Sequence, residues 1–380
     1  GETCASCSQD CGTCSTGKTI TAASCNLADV QAAVNAAQGA DSYLNGDVVK
    51  VPAGICTWTD TLKINKGITV MGAGSADNPQ TTINRNDQFV VIDTDQGFRI
   101  SGIHFHTTIK NGNGWIYFIN AAGAVAGSDG FRIDNNLFEA DADSGDDFGR
   151  AIWYYASTVL GQPRGVIDNN TFKRCRILLS SSSYHFRSRY WPQDYWFGTG
   201  DTIIIEDNLF DNTPGSLSST AKTSIDGDMS GPGYVARYNT MVNAYILVHQ
   251  SKQLSETNNT YISRAPRGWE IYGNHIGEDN SYTQYARPIY LRGGTGYVFD
   301  NFADNTNSFG DFHITMNIEG ARTGYCDGTD IRDGNEIVSG VGAGYPCRDQ
   351  IGRGQDEFTW LEFTNPPSQE LKPAYLWNNK

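Results

Sequence analysis

A short alternation of apolar and polar residues recurs along the chain, and most copies carry an asparagine just after it. Residues 130–140 read GFRIDNNLFEA. GFRISGIHFH, GVIDNNTFKR, DTIIIEDNLFDN, GYVARYNTMVN and GWEIYGNHIG repeat the theme from Gly97, Gly165, Asp201, Gly233 and Gly268, and GYVFDNFADN from Gly296 is a looser copy. Five copies and the looser one align on Asn136, Asn170, Asn208, Asn239, Asn274 and Asn301, with gaps of 34, 38, 31, 35 and 27 residues. A short apolar run precedes each asparagine, such as Phe131-Arg132-Ile133 or Ile203-Ile204-Ile205. Two residues after it comes a second apolar position: Phe138, Phe172, Phe210, Met241 or Ile276.

Runs this short, without Asn-Gly or Asp-Gly turns between them, do not build a sandwich of hairpins. They predict an all-β solenoid, a parallel β-helix in which each coil pairs with the coils above and below. Unequal gaps fit coils of one architecture carrying loops of different length. The asparagine then has a physical role at an inward bend. Its amide can donate and accept toward the equivalent residue of the next coil, and asparagine tolerates the left-handed backbone that a sharp bend needs.

One segment reads as helix. In LADVQAAVNAAQG, residues 27–39, Leu27, Val30 and Val34 share a face, Asn26 can cap the start and Gly39 can end it. Laid across the first coil, this helix would close the apolar end of the solenoid. The organisation expected is a Cys-rich segment over 1–24, a β-helix with its helical cap over 25–305, and a loop-rich tail over 306–380 packed on the β-helix.

Composition sharpens the picture. Of 380 residues only 18% are charged, Gly is abundant, and the net charge is −14. Nucleic acid is a poor partner for such a chain, because phosphate binding needs a basic footprint. The same long-range field opposes polyanionic sugars unless a metal bridges them. No apolar run approaches the length of a membrane span, so no membrane insertion is expected. Nine cysteines, four of them among the first fourteen residues, point to a secreted or cell-surface, extracytoplasmic setting. The chain starts at Gly1, as a processed product would.

Cys25 before the helix and Cys56 in the first rung could staple the cap to the solenoid, and Cys326 and Cys347 could close a loop in the tail. Cys4, Cys7, Cys11 and Cys14 fit two disulfides, a zinc or iron–sulfur centre, or docking to a neighbouring molecule. Cys175 reads as a buried free thiol.

The order of a helix, VPAG with a rung, GITVMGAG and then the repeats resembles the start of the pectate-lyase-like superfamily of right-handed parallel β-helices. The segments SCNLADVQAAVNAA, VPAGICTW, GTGDTIIIEDNLFD, GWEIYGNHI, RGGTGYVF and GYPCRDQIGRG resemble a group of secreted bacterial β-helix proteins without an established activity. The resemblance implies a right-handed, single-stranded β-helix over roughly 25–305, and carbohydrate as the partner to consider first.

Candidate chemistry follows three lines. A lyase needs a base and a cation near a uronate. SRAPRGWE offers Arg264 and Arg267, matching the Arg-x-Pro-x-x-Arg motif of pectate lyases only in part, and the Trp-x-Asp-His companion is absent. A hydrolase needs paired carboxyls. Asp226 and Asp228 in SIDGDMSG would point the same way on a strand, with Glu206 and Asp207 on an earlier rung. The polygalacturonase motifs are absent. A binder needs aromatic platforms. YHFRSRYWPQDYWFGTGD supplies Tyr184, Arg187, Arg189, Tyr190, Trp191, Tyr195 and Trp196 for sugar stacking or a protein contact. His249, Arg287 and Arg292 on later rungs could face the same groove. The acidic loop EADADSGDDFG, with Asp141, Asp143, Asp146 and Asp147, suits calcium, although not with EF-hand spacing. The function expected is to bind a polysaccharide, or to bind and cleave one. The other reading is a structural surface protein that self-associates, for example as a fibre, through its ends or its Cys-rich segment.

Overall fold

The computed structural model describes residues 17–108, 114–118, 130–141, 149–156, 163–181, 196–213, 222–228, 231–249, 265–266, 268–277, 288–304, 314–316, 351–352 and 372–380. Within them the chain winds as a parallel β-helix of three sheets with 11, 9 and 9 strands. Each coil contributes one strand to each sheet. Gly165–Asp168, Thr171–Lys173 and Cys175–Ser181 make one coil, and Ile203–Glu206 then returns to pair with Gly165–Asp168.

Columns of inward side chains set the register. On the first sheet Val49, Val70, Ile100, Ile133, Ile167, Ile205, Ala236, Ile271 and Val298 lie one over another. On the third, Ile116, Ile152, Ile177, Ile225, Ile246 and Ile289 do the same. The second sheet stacks Phe105, Phe138, Phe172 and Phe210 with ring centroids 5.3, 5.0 and 4.7 Å apart, and Met241 and Ile276 extend that column. All are buried. A slip of one residue would turn a whole strand's apolar set outward, so each column resists it.

The asparagines form a single buried column at the corner between the first and second sheets. The side-chain carbonyl of Asn170 accepts the backbone N–H of Asn136 at 3.0 Å and its Nδ2–H at 3.1 Å. The same pair of bonds links Asn170 to Asn208, Asn208 to Asn239, Asn239 to Asn274 and Asn274 to Asn301. Asn379 adds a further rung beyond Asn301, and Ile103 donates its N–H to Asn136 at the other end. Each Nδ2 also donates to the carbonyl two residues back, as Asn208 does to Glu206 at 2.9 Å. Backbone groups that leave the strand ladder at the corner are satisfied in this way.

One expectation is corrected. The left-handed residue is the one before each ladder asparagine: Asn135, Asn169, Asp207, Tyr238, Gly273 and Asp300 have φ between 52° and 65°. The turn is completed there, which leaves the ladder asparagine free to aim its amide inward.

The helix runs Leu27–Ala36 and buries Val30, Ala33 and Val34. It ends three residues before Gly39, because Lys66 Nζ binds the carbonyls of Asn35 and Ala37 at 3.3 and 2.9 Å and Asp47 accepts the N–H of Gln38. Asn26 holds the N-cap position without a side-chain cap bond. A Cys25–Cys56 disulfide joins cap and first coil, and Cys175 is free and buried. Cys4, Cys7, Cys11, Cys14, Cys326 and Cys347 lie outside the described residues. Pairing continues beyond both expected boundaries: Thr19–Thr21 precedes the helix in the first sheet, Ile314–Met316 extends the third, and Tyr375–Trp377 extends the first.

Replacing Asn208 by Ala strands the N–H of Asn170 and the carbonyl of Ile167, both bonded to it. At about 1–3 kcal/mol per orphaned group, the variant is expected to lose roughly 2–6 kcal/mol in urea unfolding, while the exposed Thr59→Ala stays within about 0.5 kcal/mol of wild type. Equal midpoints for the two variants would contradict the ladder's structural weight.

Candidate functional site

The turn from first to second sheet takes two residues in the coils from Asp134 onward. Long connections instead adjoin the third sheet: 141–148, 212–221, 278–288 and 305–313 lead into its strands, and 157–164, 182–202 and 249–267 lead out. The outer face of that sheet is therefore the surface that insertions flank, and loops carried on a rigid scaffold are where binding groups concentrate.

Strand alternation fixes what this face presents. Ile177, Ile225 and Ile246 point into the core, so the intervening residues point out. One outward row reads Tyr117, Trp153, Leu178, Asp226, Leu247, Tyr290. Arg150 and Arg176 pair on one side of it, with Thr223 and Tyr245 further along. On the other side lie Tyr155 and Ser180, then Asp228, His249 and Arg292, ordered by the bonds Asp228 N–H to Leu179 O, His249 N–H to Gly227 O and Arg292 N–H to Val248 O. Although it faces outward, Asp226 is buried, as are Leu178, Leu247 and Tyr290.

Charge gathers at the centre. Arg176 Nη1 donates to Asp226 Oδ2 at 3.2 Å. His249 Nδ1 sits 3.7 Å from Asp226 Oδ1 and 3.7 Å from Asp228 Oδ2. Burial pushes the Asp226 carboxyl up, but the imidazole of His249, with Arg176 and Arg150, outweighs it and holds the group below the ordinary carboxylate value. Burial pushes His249 down, and the two carboxylates more than reverse this, so its pKa is raised. Tyr245 is raised, chiefly by burial. At one end of the wall Tyr117, Trp153 and Tyr155 form an aromatic cluster with centroids 5.1–5.8 Å apart. Arg150 lies over the Trp153 ring at 4.2 Å and Arg292 over that of Tyr290 at 4.7 Å.

The expected carboxylate pair is thus assembled, but with a common partner: Asp226 and Asp228 converge on one imidazole. His249 and Arg292 share their face. Glu206 does not; it pairs with Arg237 on the first sheet at 2.5 Å, and Asp207 is a corner residue whose carboxyl is raised chiefly by burial. Arg176, Trp153 and Tyr245 were missed by motif reading, because they sit inside the apolar runs CRILLSS, AIWYYA and AYILV, which carry no catalytic motif. Their signal was the alternation itself, which turns every second residue outward.

Trp196 is buried, its indole so close to Gly233 that a Cβ there would lie 2.2 Å from Nε1. Gly198 N–H donates to Glu270 at 2.7 Å, which ties this end of the aromatic–arginine loop to the first sheet. Tyr184, Arg187, Arg189, Tyr190, Trp191 and Tyr195 lie outside the described residues, as do Arg264, Arg267, Arg287, Asp143, Asp146 and Asp147. Of the calcium candidates Asp141 remains, its carboxylate 2.9 Å from His106 Nε2. Among the described residues no three His, Cys, Asp or Glu side chains gather as a metal set. A second cluster, on the second sheet, joins Glu139 to His104, Lys173 and Arg174 at 3.2–3.6 Å. On the first sheet Arg99–Asp134 and Arg132–Asp168 pair across coils. These charges satisfy one another along the solenoid.

No family model matches the chain, and no curated protein matches it significantly. The three parallel sheets show a parallel β-helix, and function has to be argued from the wall itself.

Exchanging Asp226 for Asn removes one of the two charges facing Nδ1 of His249. The His249 pKa, read by NMR titration, is expected to fall toward the ordinary value of about 6.5. In the wild type the stabilisation from imidazolium pairing is complete below that value and is lost as pH rises through the raised folded pKa; the variant narrows this window. An unmoved titration would show that Asp226 does not hold the ring.

Proposed function

We propose that this is an extracytoplasmic protein that binds an anionic polysaccharide along the outer face of its third sheet. The observation that supports this most is the local reversal of charge. A chain of net charge −14 collects Arg150, Arg176, Arg292 and a raised-pKa histidine on one wall, with Asp226 and Asp228 the carboxylates against them among the described residues. The long-range field disfavours a polyanion, but contact energies at a wall whose centre is buried and whose aromatic end is partly exposed exceed a field that salt screens within about 10 Å. Tyr117, Trp153 and Tyr155 add apolar ring surface of the kind sugars stack on. The third sheet runs across coil after coil, which suits an extended polymer better than a small ligand. The Cys25–Cys56 bridge favours an oxidising compartment, and calcium would act as an added bridge to the ligand's carboxylates.

Binding is tested on a panel of acidic and neutral polysaccharides by affinity electrophoresis and calorimetry, with and without calcium. Acidic chains are expected to bind, binding is expected to weaken in high salt, and Trp153→Ala is expected to weaken it about tenfold, near 1.4 kcal/mol. Equal, salt-insensitive affinity for neutral chains would overturn the reading, as would no binding across the panel.

A further inference from the structure

Away from the wall, two histidines share the outer face of the second sheet. The strand Ile103–Thr107 carries His104 and His106, two residues apart and therefore on one side of it. That side is the outer one, because Phe105 between them belongs to the buried column. The next strand, Leu137–Ala140, places Glu139 opposite His106, and Asp141 continues it, its N–H bound to Thr107 O. Each carboxylate reaches back to one imidazole. Glu139 Oε2 lies 3.2 Å from His104 Nε2, and Asp141 Oδ1 lies 2.9 Å from His106 Nε2. The two rings are 5.7 Å apart, centroid to centroid.

The groups behind these atoms orient them. Nδ1 of His106 donates to Asn84 Oδ1 at 2.8 Å, which leaves Nε2 with a lone pair aimed at a carboxylate oxygen. Two acceptors that close need a cation between them, either a proton on the ring or a metal ion. A histidine that binds a metal characteristically spends its other ring nitrogen on such a bond. The oxygens of Glu139 divide in the same sense. Oε1 takes Lys173 at 3.6 Å and Arg174 at 3.3 Å, and Oε2 turns to the histidine. Burial holds His104 below the ordinary histidine value, which keeps its ring neutral, the form that ligates. Two imidazoles with two carboxylates are a zinc donor set, richer in nitrogen than calcium prefers.

We propose that His104, His106, Glu139 and Asp141 form a binding site for a zinc-class divalent ion on the outer face of the second sheet. In the structure the four stand as two pairs, and no three of them converge on one point. A shared ion replaces the two direct contacts with bonds to one centre, and its charge offsets that of both carboxylates. Asn84, Lys173 and Arg174 remain behind the ligands as their supports. Such an ion ties two consecutive coils together at Asp141, where the connection to the third sheet departs. The site is separate from the third-sheet wall and does not depend on what that wall binds.

The test strips the full chain with a chelator and adds zinc, following the imidazole nitrogens by NMR and the affinity by calorimetry. The Nε2 resonances of His104 and His106 are expected to move on zinc addition, while the ring of His249, which also sits beside carboxylates, is expected to stay unmoved. Movement at His249 alone, or at no histidine, overturns the proposal. Asn84→Ala removes only the partner behind His106 and is expected to weaken binding about tenfold; His106→Ala is expected to weaken it further. A cluster of ion pairs alone would lose stability in these variants and leave the zinc affinity unchanged, which also overturns the proposal. Cobalt in place of zinc separates the site from Cys4, Cys7, Cys11 and Cys14. Nitrogen and oxygen donors give visible bands without a sulfur-to-cobalt charge-transfer band. A spectrum that shows that band and is the same in His106→Ala assigns the ion to the cysteines and defeats the proposal. Should the variants fail to fold, the wild-type imidazole resonances decide.

Discussion

The structure depends on one hydrogen bond repeated at one corner. At each turn from the first sheet to the second the backbone leaves its strand ladder, and a side-chain amide replaces what the ladder no longer supplies. The replacement works because the coil below presents the same amide at the same height. An asparagine is therefore stabilising in proportion to its neighbours: a lone one would be an ordinary buried amide in search of partners, whereas a column satisfies every member except those at its ends. The phenylalanines two residues on use the same translation, stacking ring on ring beneath the corner. Local twist is absorbed by the preceding residue, where glycine, asparagine or aspartate mostly sits.

This corner leaves only part of each coil free to vary. Its two residues are held by the ladder, and the short strands on either side are held by their columns. Insertions accumulate where the constraint is weakest, on the connections to the third sheet. The unequal spacing of the asparagines records those insertions. Rigid register and variable edges thus meet on one face, and there residues about 20 to 50 apart in sequence come into contact: Arg176 with Asp226, and Asp226 with His249. The chemistry of the wall follows from translation along the solenoid, since no single segment contains it.

Much of the fold was legible in the sequence, because its determinants are periodic. The asparagine column, the Phe138–Phe172–Phe210 stack, the cap helix and the Cys25–Cys56 bridge could each be read from residue type and position. The helix end was misjudged because Lys66 and Asp47, distant in sequence, terminate it before Gly39. The left-handed residue was placed one position late, since asparagine's tolerance of that conformation says nothing about which of two adjacent residues adopts it. The site was less legible. Asp226 and Asp228 were visible as a pair two residues apart, and His249 and Arg292 as isolated candidates, but their convergence depends on how many residues each coil spends in its loops. Arg176 and Trp153 lay hidden inside apolar runs, where hydropathy alone does not separate the inner face from the outer.

Native-state hydrogen exchange offers the most direct view of the ladder, because its members' main-chain N–H groups bond to side chains rather than to a neighbouring strand. The account predicts that the amide protons of Asn136, Asn170, Asn208, Asn239 and Asn274 exchange together, at rates set by cooperative unfolding of the solenoid. If they exchange independently and fast, like those of exposed turns, the column does not hold the coils in register and the wall built on that register is not assembled.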